Sequence, residues 1–256
     1  GIISPLLSNI VLNELDWWIS SQWETMSMRK NYVRTRKDNG VAEKTYAYKV
    51  LREKSRLKEC YGLRYADDFR IFCRRRQDAE KLFIATQKWL KERLGLDISP
   101  EKSQIVNLKR KYSEFLGFKM MVKPNGKTGS KTRYTVVSHI SEKRKGKIKK
   151  RASELVAKIK FPADKFEEHK FIMDYNSYVM GIHNYYSMAT HANQDFSEIG
   201  FSVKRTMKCR LGQRLKKSGN SLPQYVQEKY GRSKELRYIR GLFVLPISYV
   251  QTRAPK

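Results

Sequence analysis

Apolar residues recur at helical spacing at the start of the chain. Ser4 and Pro5 are typical of a helix N-cap and first turn, and the apolar positions behind them fall three and four residues apart. We therefore predict a helix over residues 1–19. Its expected buried stripe consists of Leu7, Ile10, Val11, Glu14, Leu15 and Trp18.

Two short apolar runs, residues 63–66 and 69–73, flank a pair of carboxylates. Aromatic and branched side chains favour strands in both runs, and Asp tolerates tight turns. We predict a hairpin with Asp67 and Asp68 at its tip. The polar segment before it, about residues 20–60, is predicted to be a basic insertion that contains a helix over residues 42–58.

Beyond the hairpin, the pattern predicts a helix, short strands and a second hairpin. The helix should begin at Gln77 or Asp78 and end at Gly95. Short strands are expected around residues 96–98 and 105–106. A longer strand over residues 115–122 is expected to turn at Pro124-Asn125-Gly126 and return over residues 133–137. Together these elements predict an α+β fold, with an antiparallel sheet and helices on one face.

From residue 141 onward the apolar spacing becomes helical. A long basic helix is predicted up to Pro162, with Ile148, Ala152, Leu155, Val156 and Ile159 on its apolar side. Further helices are predicted over residues 171–188, 196–215 and 222–230, followed by an apolar tail over residues 242–250. The change near residue 140 predicts two domains, 1–140 and 141–256.

Charge adds a prediction about partners. The 256 residues include 54 Lys+Arg against 25 Asp+Glu, which gives a formal net charge of +29. Such an excess attracts polyanions, so nucleic acid is the first partner to consider and a membrane surface is the competing one. No apolar run approaches the length of a membrane-spanning helix. Cys60, Cys73 and Cys209 are scattered, which favours a reducing compartment and no structural metal.

Two basic runs, residues 143–151 and 204–217, contain no acidic residue. Charge runs are commonly solvated faces, but the lack of interleaved acids favours contacts with phosphates. The predicted nucleic-acid-binding residues are Lys143, Arg144, Lys147, Lys150, Arg151, Lys204, Arg205, Lys208, Arg210 and Arg214. Aromatic residues between 175 and 201 are candidates for stacking on unpaired bases. For His183 and His191 we predict a hydrogen-bonded packing role.

Adjacent carboxylates at a hairpin tip suit Mg²⁺. This hard cation takes oxygen ligands and needs few protein carboxylates when phosphates supply the rest. The alternative for Asp67-Asp68 is an ordinary solvated turn, because Asp is common in turns.

Four motifs in order resemble the latter half of a reverse transcriptase, and more narrowly a group II intron-encoded reverse transcriptase/maturase. They are Gly1-Ile2-Ile3-Ser4-Pro5-Leu6-Leu7-Ser8-Asn9-Ile10, Tyr65-Ala66-Asp67-Asp68, Pro100-Glu101-Lys102-Ser103 and Phe115-Leu116-Gly117-Phe118. The resemblance covers the palm to about residue 122. It continues through residues 175–217 and 249–252 as the helical thumb, also called domain X.

The resemblance implies a role for each matching residue. Asp67 and Asp68 would ligate two Mg²⁺ ions for phosphoryl transfer, and Lys102 would approach the leaving pyrophosphate. The alternative for Lys102 is a surface lysine beside a turn. The nucleotide and template pocket would contain Gly1, Ile2, Ile3, Ser4 and Pro5. The primer contacts would be Tyr65, Ala66, Leu116 and Gly117, although the latter two also suit a buried hairpin apex.

One expected part of the family is not in this sequence. Members carry another catalytic Asp upstream of the position of Gly1, together with template-binding fingers, and Asp16 does not match that position. We therefore expect full activity to need that segment, on the same polypeptide or another chain. The implied partners are intron RNA, a template–primer duplex, dNTP and a DNA target site. The implied location is the bacterial cytoplasm or an organelle.

The sequence leaves two other functions open. A non-catalytic RNA-binding maturase would keep the same motifs without using their chemistry. The residue at the upstream metal position would separate the two, because Asp favours the enzyme and a neutral residue favours the binder. A reverse transcriptase of a defence or CRISPR-associated system fits the maturase-like end of the chain least well.

Overall fold

Helices alternate with short antiparallel sheets in the computed structural model, which describes residues 3–252. Contacts within the chain separate two units, residues 1–107 and 108–256. The first unit contains α1 (Ser4–Ser21), β1 (Arg34–Thr35), β2 (Ala42–Glu43), α2 (Thr45–Lys54), β3 (Cys60–Tyr65), β4 (Asp68–Cys73) and α3 (Arg76–Leu94). Strands β1 and β2 pair antiparallel, and so do β3 and β4.

The second unit begins with a sheet and continues mainly as helices. Its elements are β5 (Ser113–Phe115), β6 (Phe118–Thr128), β7 (Lys131–Ile140), α4 (Glu142–Lys160), α5 (Lys165–Tyr186), α6 (Ala192–Leu211), a 3₁₀ turn (Gly212–Arg214), α7 (Gln224–Tyr230), β8 (Arg237–Ile239) and β9 (Leu242–Val244). Strands β5, β6 and β7 form one antiparallel sheet, and β8 pairs with β9. The α+β prediction is confirmed. None of the helices within the described residues is long and apolar enough to cross a membrane.

Helix α1 confirms the predicted buried stripe only in part, at Leu15 and Trp18. Leu12, Leu15 and Ile19 are buried, whereas Leu7 and Ile10 are more than half exposed. Ser4 is also the first helical residue rather than a side-chain cap. Because apolar side chains surround most of this helix, periodicity alone did not determine which stripe meets the core.

The β3–β4 hairpin packs on α1, and a glycine permits the close approach. A Cβ added to Gly62 would lie 2.9 Å from Cγ2 of Ile19. Phe69 and Ile71 of β4 join the cluster formed by the buried stripe of α1 and by Leu90 of α3. The hairpin is therefore fixed to two helices.

Helix α3 and the basic insertion agree with the sequence pattern in outline. Helix α3 ends at Gly95, whose φ of +66° is the left-handed conformation of a C-cap. The helix predicted over residues 42–58 is the shorter α2. The insertion contributes Trp23 and Leu51 to a core cluster with Cys60 and Leu82. It therefore packs as part of the first unit.

Two predictions about strands are wrong. Residues 96–98 and 105–106 are not in strands, because the segment between α3 and β5 consists of loops and turns. The turn predicted at Pro124-Asn125-Gly126 lies inside β6, where the pairing with β7 shifts register between Pro124 and Lys127. A bulge absorbs these turn-forming residues. The reversal occurs between Thr128 and Lys131 instead.

The predicted helical core is confirmed. Ile148, Ala152 and Val156 of α4 are buried, as are Tyr175 of α5 and Phe196 of α6. The apolar tail inserts Val244, Leu245, Ile247 and Val250 into the same cluster. The β5–β7 sheet belongs to this unit by its contacts, and the predicted family domains, 1–140 and 141–256, stay a prediction.

Polar side chains on α5 hold the tail in place. The Asn176 side chain donates to the carbonyl of Phe243 at 2.8 Å and accepts from the amide of Leu245 at 2.9 Å. The hydroxyl of Tyr175 donates to the carbonyl of Leu245 at 3.2 Å. These bonds satisfy backbone groups that the core removes from water.

His183 has the hydrogen-bonded packing role that we predicted. Nε2 lies 3.0 Å from the carbonyl of Ile247, so it carries the proton, and Nδ1 accepts from the hydroxyl of Tyr230 at 2.9 Å. Burial lowers the pKa of His183 to about 4. The ring is therefore neutral in the folded protein near neutral pH.

His183 makes stability pH-dependent in acid. Its folded pKa of about 4 lies below the ordinary value of 6.5, so protonation favours the unfolded chain. We expect this group to destabilise the fold progressively between pH 6.5 and 4, by on the order of 3 kcal/mol in total. The measurement is urea unfolding across this range for the natural chain and for His183→Gln. Exposed His169→Gln is the control, and equal pH slopes in all three proteins would contradict the prediction.

Candidate active site

The predicted hairpin is confirmed, with the two carboxylates at its tip. Tyr65 pairs with Asp68, so Ala66 and Asp67 form a two-residue loop. Ala66 has a φ of +53°, which L-residues adopt at a cost, and a positive φ at the first loop position is typical of the tight turns that suit antiparallel strands.

Asp67 and Asp68 are both exposed, and among residues 3–252 neither side chain forms a hydrogen bond or an ion pair. Two open carboxylates offer oxygen ligands of the kind that Mg²⁺ takes. No group of three His, Cys, Asp or Glu side chains suited to a metal occurs in the described part of the chain. The residues therefore fit as part of a Mg²⁺ ligand set that phosphate oxygens or a further carboxylate would complete.

Arg64 connects the hairpin tip to α1. Its Nε lies 2.9 and 3.0 Å from the two carboxylate oxygens of Asp16, and its Nη2 lies 2.5 Å from Oδ2. Its Nη1 donates to Oδ1 of Asn9 at 2.9 Å and to the carbonyl of Ala66 at 2.8 Å. The planar guanidinium thus bonds two side chains of the helix and the backbone of the loop.

This Arg64 clamp was not predicted from the sequence. Only 11% of the Arg64 side chain is exposed, so its hydrogen bonds are partly shielded from water. The signal was available, because Asn9 and Asp16 are seven residues apart on one face of a helix and Arg64 precedes the loop. Asp16 therefore serves the site indirectly, through Arg64.

The other predicted catalytic and pocket residues that the structure describes are exposed. Lys102 is exposed in a turn, where its amide donates to the carbonyl of Ser99 at 3.3 Å. Within the described residues, no hydrogen bond or ion pair connects Lys102 with Asp67 or Asp68. Ile3, Ser4 and Pro5 are exposed at the start of α1, whereas Gly1 and Ile2 lie outside the described residues. The roles assigned to all of them stay predictions.

The predicted primer contacts lie on two tight turns. Tyr65 is 64% exposed beside Ala66 in the first unit. In the second unit, Leu116 and Gly117 form the β5–β6 turn, and both have positive φ, +52° and +85°. The pattern of two positive φ values belongs to a type I′ hairpin turn.

Helices α4 and α5 anchor the β5–β6 turn. The hydroxyl of Tyr185 donates to the carbonyl of Leu116 at 3.0 Å, and the amide of Ser141 donates to the carbonyl of Gly117 at 2.9 Å. A Cβ on Gly117 would lie 2.9 Å from the Tyr186 hydroxyl, so a larger residue would require the turn or the Tyr186 side chain to shift. Tyr185, one of the aromatic residues between 175 and 201, thus has a structural contact with this turn.

The basic run on α4 is divided between interior and surface. Lys145 is buried, and its Nζ lies 2.7 Å from Glu198 and 2.9 Å from Glu142. Hydrogen bonds from Lys145 and Lys149 lower the pKa of Glu198 to about 2. The exposed members are Lys143, Arg144, Lys147, Lys150 and Arg151, of which Arg151 lies 3.5 Å from Glu154.

The second basic run is divided in the same way. Lys204 pairs with Glu235, and Arg214 pairs with the buried Glu168 and donates to the carbonyl of Ile159 at 3.0 Å. The acids absent from the run itself come from other elements. Of the residues of this run that were predicted to bind nucleic acid, Arg205, Lys208 and Arg210 are exposed and have no ion-pair partner among the described residues. Their binding of nucleic acid stays a prediction.

Comparison with known proteins confirms the resemblance drawn from the motifs. Residues 1–120 match the family described as reverse transcriptase (RNA-dependent DNA polymerase). The chain is also 30% identical, over 145 residues, to a Saccharomyces cerevisiae protein named for intron 2 of COX1/OXI3. That match covers 48% of this chain and 17% of the relative, so the chain spans a small part of the relative's length. Over residues 1–120, this chain is therefore similar in sequence to reverse transcriptases (RNA-dependent DNA polymerases).

Proposed function

We propose that the chain is part of a group II intron-encoded RNA-directed DNA polymerase that copies intron RNA into cDNA and assists intron splicing and mobility. The observation that carries this proposal is the pair of open carboxylates, Asp67 and Asp68, within the residues that match the reverse transcriptase family. An upstream fingers and palm segment, carrying a further Asp, would complete the enzyme. A DNA target site would be a further partner.

In this proposal the residues of the hairpin tip have distinct tasks. Asp67 and Asp68 present oxygen ligands, and Arg64 holds the loop that carries them. Bound Mg²⁺ would supply Lewis-acid stabilisation of the reacting oxygens in two-ion nucleotidyl transfer. Lys102 would place a cation beside the pyrophosphate that leaves the dNTP.

Other predicted residues would position the nucleic acid. Tyr65 and Ala66 would contact the primer terminus, and so would the turn at Leu116 and Gly117. The nucleotide and template pocket would be lined by the segment from Gly1 to Pro5.

The experiment that tests this function is primer extension on an RNA template. The native polypeptide that contains this chain is supplied with dNTPs and Mg²⁺, and labelled DNA is measured. Template-dependent DNA supports the polymerase. RNA binding without DNA synthesis would reject the polymerase and favour the second candidate function, a non-catalytic splicing maturase.

One observation favours the second candidate independently of catalysis. The unpaired surface cations of α4 and α6 offer phosphate contacts whether or not the hairpin tip binds a metal. The residue at the upstream metal position in the native polypeptide separates the candidates, because Asp there favours the enzyme and a neutral residue favours the binder.

The α6 cations are expected to contact RNA phosphates. Replacement of Arg205, Lys208 and Arg210 by Gln should weaken RNA binding and flatten its dependence on salt, by about one unit of slope for each phosphate that is no longer neutralised. The measurement is the RNA dissociation constant of this chain across a salt series. The control variant replaces the exposed Lys123, Lys127 and Lys131 of the β6–β7 hairpin by Gln, which removes the same amount of positive charge. Equal slopes for the α6 variant and the natural chain would mean that these cations face only solvent.

A further inference from the structure

A basic cleft lies in the first unit, away from the four family motifs. It has a volume of about 720 Å³ and is bounded by α2, the loop over residues 55–59 and the start of α3. Seven of its fourteen lining residues are Lys or Arg, and three are Glu or Asp. These segments are separate in the sequence, so only the fold brings the cations together.

The half-buried acid of the cleft, Glu59, is already neutralised. Its carboxylate lies 2.8 Å from Nε of Arg52 and 3.5 Å from Nη1 of Arg74. The hydroxyl of Tyr61 donates to the same carboxylate at 3.2 Å and accepts from Nε1 of Trp23 at 3.3 Å. In this network Arg52 and Arg74 balance the negative charge of the Glu59 carboxylate, so that charge does not offset the other cations of the cleft.

Four of the five other cations of the cleft are open to an anion, whereas the fifth, Lys58, donates to the carbonyl of Arg56 at 3.0 Å. Lys49, Arg56, Arg75 and Lys81 are exposed, and within residues 3–252 none of them forms an ion pair. They come from four places on the cleft: α2, the following loop, the residue before α3, and α3 itself. A ligand in the cleft would therefore meet positive charge from several directions.

The lining favours a phosphate backbone over a base or a free nucleotide. The aromatic ring of the lining belongs to Trp23, which is 1% exposed and cannot stack on a base. Flexible Lys and Arg side chains contact phosphates without reading sequence. We propose that this cleft binds the phosphodiester backbone of a nucleic-acid strand through Arg56, Arg75 and Lys81, independently of the acidic hairpin tip and of any polymerase activity.

The test is RNA binding by this chain with the open cations removed. Arg56, Arg75 and Lys81 are replaced together by Gln, and binding of a single-stranded RNA is measured over a salt series. Removal of three phosphate-binding charges should reduce the slope of log affinity against log salt concentration by about two units. If the affinity at 1 M salt is unchanged, the affinity at 0.1 M salt should then be about a hundredfold weaker. Arg52 and Arg74 are left intact because they hold Glu59.

A second triple variant distinguishes loss of the cleft cations from a general loss of positive charge. Lys30, Lys37 and Lys44 are exposed in the same unit, lie outside the cleft lining and form no ion pair among the described residues. Their replacement by Gln removes the same charge. A large slope change in the cleft variant alone supports the proposal, whereas equal changes in both variants, or no change in the cleft variant, overturn it.

A readout on the natural protein avoids any folding defect of the variants. Acetylation of lysines is followed by mass spectrometry with and without bound strand. Protection of Lys49 and Lys81, but not of Lys30 and Lys37, is the expected result, and unprotected Lys49 and Lys81 in a saturated complex would overturn it. The experiment is repeated with RNA and with DNA strands of equal length, and the strand that protects the lysines identifies the backbone that the cleft binds. If neither strand protects Lys49 and Lys81, the proposed site is rejected. Retained binding in Asp67→Asn shows that the result does not depend on the polymerase proposal.

Discussion

Asp67→Asn is expected to abolish RNA-templated DNA synthesis by the native polypeptide while leaving RNA binding intact. Asn keeps the shape of the side chain but removes the negative charge that a divalent cation needs. Several kcal/mol of transition-state charge stabilisation corresponds to a loss of about a thousandfold or more in rate. The measurement is primer extension with Mg²⁺, alongside RNA binding. Because Asp67 has no hydrogen-bonding partner in the described residues, the thermal stability should not change.

The control for this variant is Asp38→Asn. Asp38 is another exposed carboxylate in a turn of the first unit, so its replacement makes the same change of charge. Full DNA synthesis by Asp67→Asn, or an equal loss in both variants, would reject the assigned role.

A direct readout of the metal role is available in this chain. Mn²⁺ should broaden the amide NMR signals of Ala66, Asp67 and Asp68, and the broadening should disappear in Asp67→Asn/Asp68→Asn. Broadening that persists in the double variant would place the ion elsewhere.

Arg64→Gln is expected to reduce DNA synthesis roughly a hundredfold, because a misplacement of about 1 Å at a catalytic group can have that effect. Gln cannot reproduce the bidentate contact with Asp16 together with the bonds to Asn9 and the Ala66 carbonyl. The loop should then sample other positions, so more Mg²⁺ should be needed for half-maximal synthesis. Arg64→Lys should rescue little, since a single ammonium lacks the planar fork.

Two further measurements identify this effect as positioning. Hydrogen exchange of the β3–β4 amides should become faster in Arg64→Gln, and Asp16→Asn should show a smaller change in the same direction. The control is Arg36→Gln, since Arg36 also pairs with an acid in a hairpin of this unit, at 3.9 Å from Glu43. Normal Mg²⁺ dependence and unchanged exchange in Arg64→Gln would contradict the clamp.

Some features of this protein follow from its sequence alone. The hairpin at residues 60–73 was predictable because runs rich in aromatic and branched side chains flank residues that tolerate turns. The end of α3 followed from Gly95, and the core face of α4 followed from the spacing of Ile148, Ala152 and Val156. The reverse transcriptase family was recognisable because the motifs that carry its chemistry are short and local, and both comparisons agree with them.

Other features were decided by the tertiary structure. The buried stripe of α1 depends on where β3 and β4 pack, because that helix has apolar residues on more than one face. The acid-free basic runs gained partners, Glu198, Glu235 and Glu168, from distant segments, so local composition could not show which cations stay on the surface. The Arg64 clamp and the basic cleft likewise join residues far apart in the chain. Local sequence patterns were therefore sufficient for the local elements and for the resemblance to reverse transcriptases. Long-range packing selected which charges are paired, since an ion pair needs proximity in space rather than along the chain.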